Sequence, residues 1–476
     1  MLAMRKWAVR HAGLLERAYR ALSRLLRAML PLGRAIGLQR LERPMAGAER
    51  AIKGFLFDCK MCGRCALSVT GMSCPMNCPK QVRNGPCGGV RPDGTCEVYP
   101  DMRCVWVEGW RGSQLMSSHE LPAAPNPPVD HSLVGTSSWM RLMKGEGPGE
   151  NPAPAAMEHP AASALERLLA SGEFVVTAEF SPPDSADPAD VHARLAPFMG
   201  NVDALNVTDA SGANCHMSSL GVSVLLLQAG CEPVMQISCR DRNRIAIQGD
   251  ILGAAALGVR NVVCLTGDNV ANGDHPGAKH VGDLDAVSLL DTLRTMRDEG
   301  RYLSGRKLAA PPRLYLGAAD NPFAPPLDAR VARLRKKITA GAQFVQTQYC
   351  FDIGQLELYM AKVRDAGLHE DVHILVGVGP IGSAKTARWL RSKVPGVHIP
   401  DEIVSRLERA ADAREEGRRI CIELIRRIRE IPGVAGVHIM APRQDLLVPS
   451  IIAEAGVLGG RTPLSGRAGH AFAGAA

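Results

Sequence analysis

At 476 residues, with 46% apolar and 22% charged side chains, the chain can bury one large core plus a smaller unit and has ordinary globular composition. Aromatic residues make up only 4%, which argues against a base-stacking nucleic-acid platform. The net charge of +8 is local, because residues 1–50 hold eleven Arg and Lys against three Glu; a general polyanion-binding surface is excluded.

In residues 5–30, Trp7, Leu14, Leu15, Leu22, Leu25, Leu26 and Met29 recur at helical spacing, with Arg10, Arg17, Arg20, Arg24 and Arg27 between them. The spacing predicts a helix that packs on the following segment and keeps its arginines in water. A membrane-surface helix, a partner-docking helix and a transit peptide are the alternatives. The recurring Arg also argue against a secretory signal, and no apolar run reaches the ~18 residues of a membrane span. A cytoplasmic location is the expectation.

Residues 51–115 form a cysteine-rich unit. Eight of the fourteen cysteines crowd into it, at Cys59, Cys62, Cys65, Cys74, Cys78, Cys87, Cys96 and Cys104. Without an export signal, clustered thiols read as metal ligands. CKMCGRC places three on one loop and Cys78-Pro79 supplies a fourth, reminiscent of a 4Fe–4S pattern. Cys74, Cys87, Cys96 and Cys104 remain for a second site. Tetrahedral zinc is compatible with the same spacing, so iron–sulfur cluster and zinc both stay open. The glycines of NGPCGG (84–89) would let backbone wrap a metal closely.

Eight prolines among Ser, Gly and Ala make 116–160 read as a semi-rigid linker. Strand-like runs then alternate with helical patterns. The runs lie at 174–180, 202–209, 232–239, 261–268, 313–320, 344–350, 372–379 and 436–441. Helical patterns include 188–199, 242–257, 283–298, 327–340, 353–366 and one long stretch, 401–430. Eight such units over 161–476 predict an α/β fold, a (β/α)₈ TIM barrel, and no GxGxxG follows the first strand to favour a Rossmann sheet.

In a barrel the active site forms at the C-terminal strand ends. There the sequence places Glu179, Thr208 with Asp209, Gln236, Asp268, Asp320 with Asn321, and Thr347 with Gln348. Strand 7 ends in Gly377-Val-Gly379-Pro, which reads either as a close approach for a flat ligand or as a tight turn. Taken singly, Glu179 reads as an ion-pair partner, Asp268 as a turn residue and Gln348 as a backbone-satisfying amide. Their coincidence at one rim is better explained by a ligand site. A metal-dependent hydrolase would need histidine clusters that the strand ends lack.

TAEFSPP (177–183), LNVTDASG (205–212), CRDRNRIAIQGDILGAAALGVRNVVCLTGD (239–268), GAADNP (317–322), KITAGAQFVQTQYCFD (337–352) and GVGPI (377–381) together resemble methylenetetrahydrofolate reductases. The resemblance implies FAD at the rim, reduced by NAD(P)H or by a reduced protein donor, and hydride transfer to methylenetetrahydrofolate. It implies Glu179 as the acid that opens the folate ring, with Asp268 near flavin and pterin and Gln348 shared between folate and nicotinamide. Thr208 and Lys337 match cofactor contacts, and Gln236, Thr266, Gly267 and Asn321 complete the expected cofactor set. Two departures are Gln236, where a histidine is expected, and Thr266 in place of the Arg of an Arg-Gly-Asp. The cysteine unit resembles one fused to, or partnering, some bacterial members, which implies electron transfer or partner docking. The folate, an electron-donor protein and a homo-oligomer are the expected partners. A non-catalytic folate-binding or scaffold subunit of a methyl-transfer complex is the alternative.

Overall fold

Runs rich in Val, Ile, Leu and Phe, buried on both faces, are what a parallel sheet covered by helices requires. In the computed structural model, which describes residues 2–146, 160–394 and 396–466, eight such runs form the strands. They are β1 (Val175–Phe180), β2 (Ala204–Val207), β3 (Pro233–Ser238), β4 (Asn261–Leu265), β5 (Tyr315–Asp320), β6 (Phe344–Tyr349), β7 (His373–Val378) and β8 (Val434–Ile439). Each pairs in parallel with the next, and β1 pairs with β8 through Val175↔Gly436 and Val176↔Val437, so the sheet closes into a (β/α)₈ barrel. Every strand lies within about two residues of its predicted run except where β2 is shorter and β4 ends before Thr266.

The helices follow the predicted periodicity with one clear break. The stretch 401–430 is two helices, Asp401–Arg409 and Ala413–Arg429, because Asp412 accepts from Arg414 N at 2.9 Å and Glu415 N at 3.1 Å and starts a new helix there. At the N-terminal end of the barrel, the helix Ala164–Ala170 packs Leu165, Leu168 and Leu169 against Val175, Val234, Val263, Phe344 and Leu375 and closes that end. Ser163 caps it, accepting from Glu166 N at 3.0 Å. The open end is therefore the C-terminal rim.

The basic N-terminal segment packs on the cysteine-rich unit, as its periodicity predicts. Ala8, Ala12 and Phe57 join Leu67, Met72, Cys74 and Met116 in one core, and Leu26 joins Trp139, Met140 and Met143 in another. Arg10, Arg17, Arg20, Arg24 and Arg27 are exposed. Leu15, Tyr19 and Leu22 pack against the same cores, whereas Trp7, Leu14, Leu25 and Met29 of the predicted apolar stripe stay 39%, 54%, 57% and 40% exposed. Among the described residues no helix is long and apolar enough to cross a membrane.

The stretch 116–146 differs from the free spacer that its prolines suggest. Asn126 N donates to Asn84 Oδ1 at 2.6 Å and Asn84 Nδ2 returns a bond to Asn126 O at 3.0 Å, while Arg83 Nε donates to Pro127 O at 3.1 Å. The polar backbone of this stretch finds its partners on the cysteine-rich unit, which fixes its path. Residues 147–159 of the proposed linker lie outside the described residues.

The glycines ending β7 serve packing, not a ligand. A Cβ on Gly377 would overlap Thr347 O, and one on Gly379 would overlap Met440 O. Backbone atoms cannot yield as a side-chain tip can, so Gly379→Ala is expected to destabilise the protein by ~1–3 kcal/mol through overpacking, read as a lowered urea midpoint.

Candidate functional site

The strand ends and the cysteine-rich unit enclose one cleft of about 420 Å³. Glu179, Gln348, Asp268 and Gln236 line it, as do Thr208, Thr266, Gly267, Asn321 and Lys337, and Asp209, Asp320 and Thr347 join them, so these residues, singled out in the sequence on the barrel side, meet in one place. They come from β1, β3, β5 and β6 and from the loops after β2, β4 and β5, with Lys337 contributed by the helix Leu327–Thr339.

Glu179 projects from β1 among protein atoms. Burial, with the carboxylates of Asp445 and Asp268 nearby, pushes its pKa up to about 7, so near neutrality it is poised between its protonated and ionised forms. Asp268 accepts from Gly212 N at 2.8 Å, bridging the end of β4 to the loop after β2. Gln348 Oε1 accepts from Tyr349 N at 3.0 Å. Thr208 Oγ1 and both amide atoms of Asn206 are buried at the cleft without a hydrogen-bond partner. Orphaned donors and acceptors of this kind cost stability unless a ligand satisfies them.

Other predicted residues are already engaged by the protein. Lys337 Nζ lies 2.5 Å from Asp320 Oδ1 and donates to Ala319 O at 2.7 Å. Burial pulls Lys337 down to about 8, while its ammonium and the Tyr359 hydroxyl hold Asp320 below the usual carboxylate range despite burial. Asn321 Nδ2 donates to Gly88 O at 2.8 Å, so this side chain grips the cysteine-rich unit. Thr266 Oγ1 accepts from Ala286 N at 3.3 Å, at the start of a helix. Asp209 receives Ser238 N and Arg242, and Thr347 receives Gly377 N at 2.9 Å, so both support backbone. His438 on β8 also lines the cleft: it lies against Thr177 Oγ1 at 3.0 Å, and burial drives its pKa down to about 3, keeping it neutral.

The eight cysteines make no disulfides and fall into two neighbourhoods. Cys59, Cys62, Cys65 and Cys74 line one small cavity of about 20 Å³. Cys78, Cys87, Cys96 and Cys104 lie within one another's electrostatic reach. This exchanges Cys74 and Cys78 relative to the grouping suggested by spacing, because Pro75–Asn77 forms a short 3₁₀ turn that carries the two cysteines apart. Among the described residues, no three His, Cys, Asp or Glu side chains are arranged as a metal-ligand group. Burial pushes the thiols of Cys59 up to about 11 and of Cys74 and Cys78 up to about 12, so in the protein alone they are neutral. Of the NGPCGG glycines, Gly89 makes room for a side chain: a Cβ there would overlap the Glu97 carboxylate, whereas one on Gly88 would meet nothing.

Sequence reasoning missed the residues that join the two units. Lys80 and Glu97 line the cleft from the cysteine-rich side, and Cys87 stands in its wall. Arg330 and Arg333 of the helix Leu327–Thr339 line it from the barrel, only 2% and 5% exposed, and Arg333 Nη1 donates to Asn84 O. The cations at 330, 333, 336 and 337 fall on neighbouring turns, a pattern that ordinarily marks a solvated helix face; here Arg333 reaches Asn84 O and Arg330 reaches Cys87 O in the cysteine-rich unit, while Lys337 is held by Asp320 of the barrel.

Comparison with known proteins agrees with this geometry. The family model described as methylenetetrahydrofolate reductase matches residues 164–456, and one described as methylene-tetrahydrofolate reductase C terminal matches 38–132, here on the N-terminal side of the barrel. A probable methylenetetrahydrofolate reductase (NADPH) of Caenorhabditis elegans is 25% identical over 316 residues, which cover 62% of this chain and 44% of that protein. Methylenetetrahydrofolate reductase 1 of Schizosaccharomyces pombe is 25% identical over 62% of this chain and 47% of its own length. The match to 5,10-methylenetetrahydrofolate reductase of Salmonella typhimurium, at 24% identity, covers 50% of this chain and 75% of that protein. The chain thus spans about half the length of the first two relatives. With its barrel matched almost end to end, the chain belongs to the methylenetetrahydrofolate reductase family.

Proposed function

We propose that the protein interconverts 5,10-methylenetetrahydrofolate and 5-methyltetrahydrofolate, with FAD held over the barrel rim and NAD(P)H or a reduced protein as donor. The observation that carries the reading is Glu179, a carboxyl that lines the cleft and whose pKa is raised to about 7 by burial and neighbouring carboxylates. The folate's five-membered ring opens more readily when its leaving nitrogen is protonated, and a group with a pKa near the working pH is suited to that task. Bound FAD would supply the two-electron relay between donor and folate. The unpartnered Thr208 hydroxyl and Asn206 amide fit such a polar, planar group, since it would satisfy atoms that the protein leaves bare. Asp268, on its fixed turn, orients the pterin, and Gln348 at the end of β6 offers its amide to folate or nicotinamide. Nothing specific favours the scaffold alternative. Purified full-length protein reconstituted with FAD is expected to show flavin absorption and to form methyltetrahydrofolate; a colourless protein in excess FAD contradicts the reading.

The cysteines enter the proposal separately. Their density and freedom from disulfides support two four-thiolate sites, {59, 62, 65, 74} and {78, 87, 96, 104}, holding iron–sulfur clusters in preference to zinc. The side chains as placed do not form a ligand group, so no step of the folate chemistry is routed through a metal. Elemental analysis of anaerobically purified protein is expected to find iron, with Cys62→Ser and Cys87→Ser each losing part of it. Absence of both metals ends this part of the proposal.

A further inference from the structure

Lys80 lies far from the barrel in sequence, yet its side chain is 7% exposed and ends in the barrel's cleft. Its Nζ donates to Gly267 O at 2.9 Å and pairs with Glu97. Gly267 sits at φ +91°, and a Cβ there would overlap Ser238 Oγ, so this residue has no side chain of its own to anchor it. Its tie to the cysteine-rich unit is the Lys80 grip on its carbonyl, beside the anchors that Thr266 and Asp268 give the turn on the barrel side. The next residue, Asp268, accepts from Gly212 N at 2.8 Å. One chain of contacts thus runs from the cysteine-rich unit through Gly267 and Asp268 to the loop after β2. Behind Lys80, Glu97 reaches its partner only because residue 89 is a glycine.

We propose that Lys80 is a positioning residue for the folate chemistry: it holds the Gly267–Asp268 turn in place, so the cysteine-rich unit completes the barrel's active site as well as docking on it. The inference rests on the cleft being the folate site. Lys80 has to satisfy a carbonyl and a carboxylate at once, which an ammonium or a guanidinium can do and an apolar side chain cannot.

The test uses full-length wild type, Lys80→Met and Lys80→Arg. Hydrogen exchange is followed in peptides covering 266–270, with β1 as control, and the two flavin half-reactions are measured separately. Lys80→Met is expected to raise exchange at 266–270 and leave β1 unchanged. Its reoxidation by methylenetetrahydrofolate should slow by ~10²-fold, the loss that a misplacement of roughly 1 Å produces, while reduction by NAD(P)H keeps its rate. Lys80→Arg should restore the wild-type behaviour. Unchanged exchange in Lys80→Met, wild-type reoxidation despite raised exchange, or equal impairment of the arginine variant would each overturn the proposal. If Lys80→Met does not fold, Glu97→Gln loosens Lys80 without removing it and carries the same expectations at a smaller size. A wild type that binds no flavin contradicts the folate reading alone, because the exchange comparison still decides whether Lys80 holds the turn.

Discussion

Glu179→Gln is expected to leave reduction of the flavin by its donor intact and to slow reoxidation by methylenetetrahydrofolate by ~10²-fold or more, a typical general-acid contribution. The amide keeps the size of the side chain and loses only the transferable proton. The pH dependence follows from the same group. Its pKa is raised to about 7, so the proton is in place below that pH and is lost above it. The folate half-reaction should therefore fall ~10-fold per pH unit above about 7 in the wild type, and that limb should be missing from the variant. The sign for stability is the same: with the folded pKa above the ordinary 4.5, whatever the neutral carboxyl contributes is present at low pH and lost as the pH rises through about 7. Equal slowing of both half-reactions would point instead to a disturbed fold or a binding role.

The second large effect is structural. Asp285, 3% exposed, accepts from Arg83 N at 2.7 Å and from Asn84 Nδ2 at 3.2 Å, and also caps the helix Ala286–Asp298 through Val287 N at 3.1 Å and Ser288 N at 2.9 Å. One carboxylate thus serves both as helix cap and as the socket for the cysteine-rich unit. Asp285→Ala strands several buried N–H donors and removes the cap, so a loss of ~3 kcal/mol or more is expected, read as a lowered urea midpoint of the full-length protein. A barrel cut free at residue 161 should fare poorly for a related reason. It leaves Asp285 without Arg83 and Asn84, and Arg333 without the Asn84 carbonyl to which it donates. Full stability in Asp285→Ala would show that the two units do not depend on this joint.

The barrel was legible because a buried parallel strand and its covering helix each write a local pattern. Runs such as 344–350 and 372–379 announce strands without reference to anything distant, and Glu179, Asp268 and Gln348 fall at their C-terminal ends by the same local logic. What escaped the sequence is what depends on contact between distant segments. Asn321 holds Gly88, 233 positions away, and Lys80 holds Gly267, 187 positions away; no spacing rule encodes either. The glycines of β7 misled because an empty Cα looks the same whether a ligand or a carbonyl fills the space, and here Met440 O fills it. The break at residues 410–412 was in principle readable, since Asp412 followed by Glu415 is a helix-start signal inside a stretch that otherwise looks continuous. The positions of Cys74 and Cys78 were hard to read for a similar reason: they are close in sequence, and the 3₁₀ turn Pro75–Asn77 between them places Cys74 beside Cys59, Cys62 and Cys65.

The most direct test is a single-turnover experiment on the full-length protein. FAD-loaded protein is reduced anaerobically with one equivalent of donor and mixed with methylenetetrahydrofolate while flavin absorbance is recorded. The oxidised flavin spectrum is expected to return at a rate that depends on the folate concentration, with stoichiometric methyltetrahydrofolate as product. A flavin that stays reduced in the presence of saturating folate would contradict the proposed reaction.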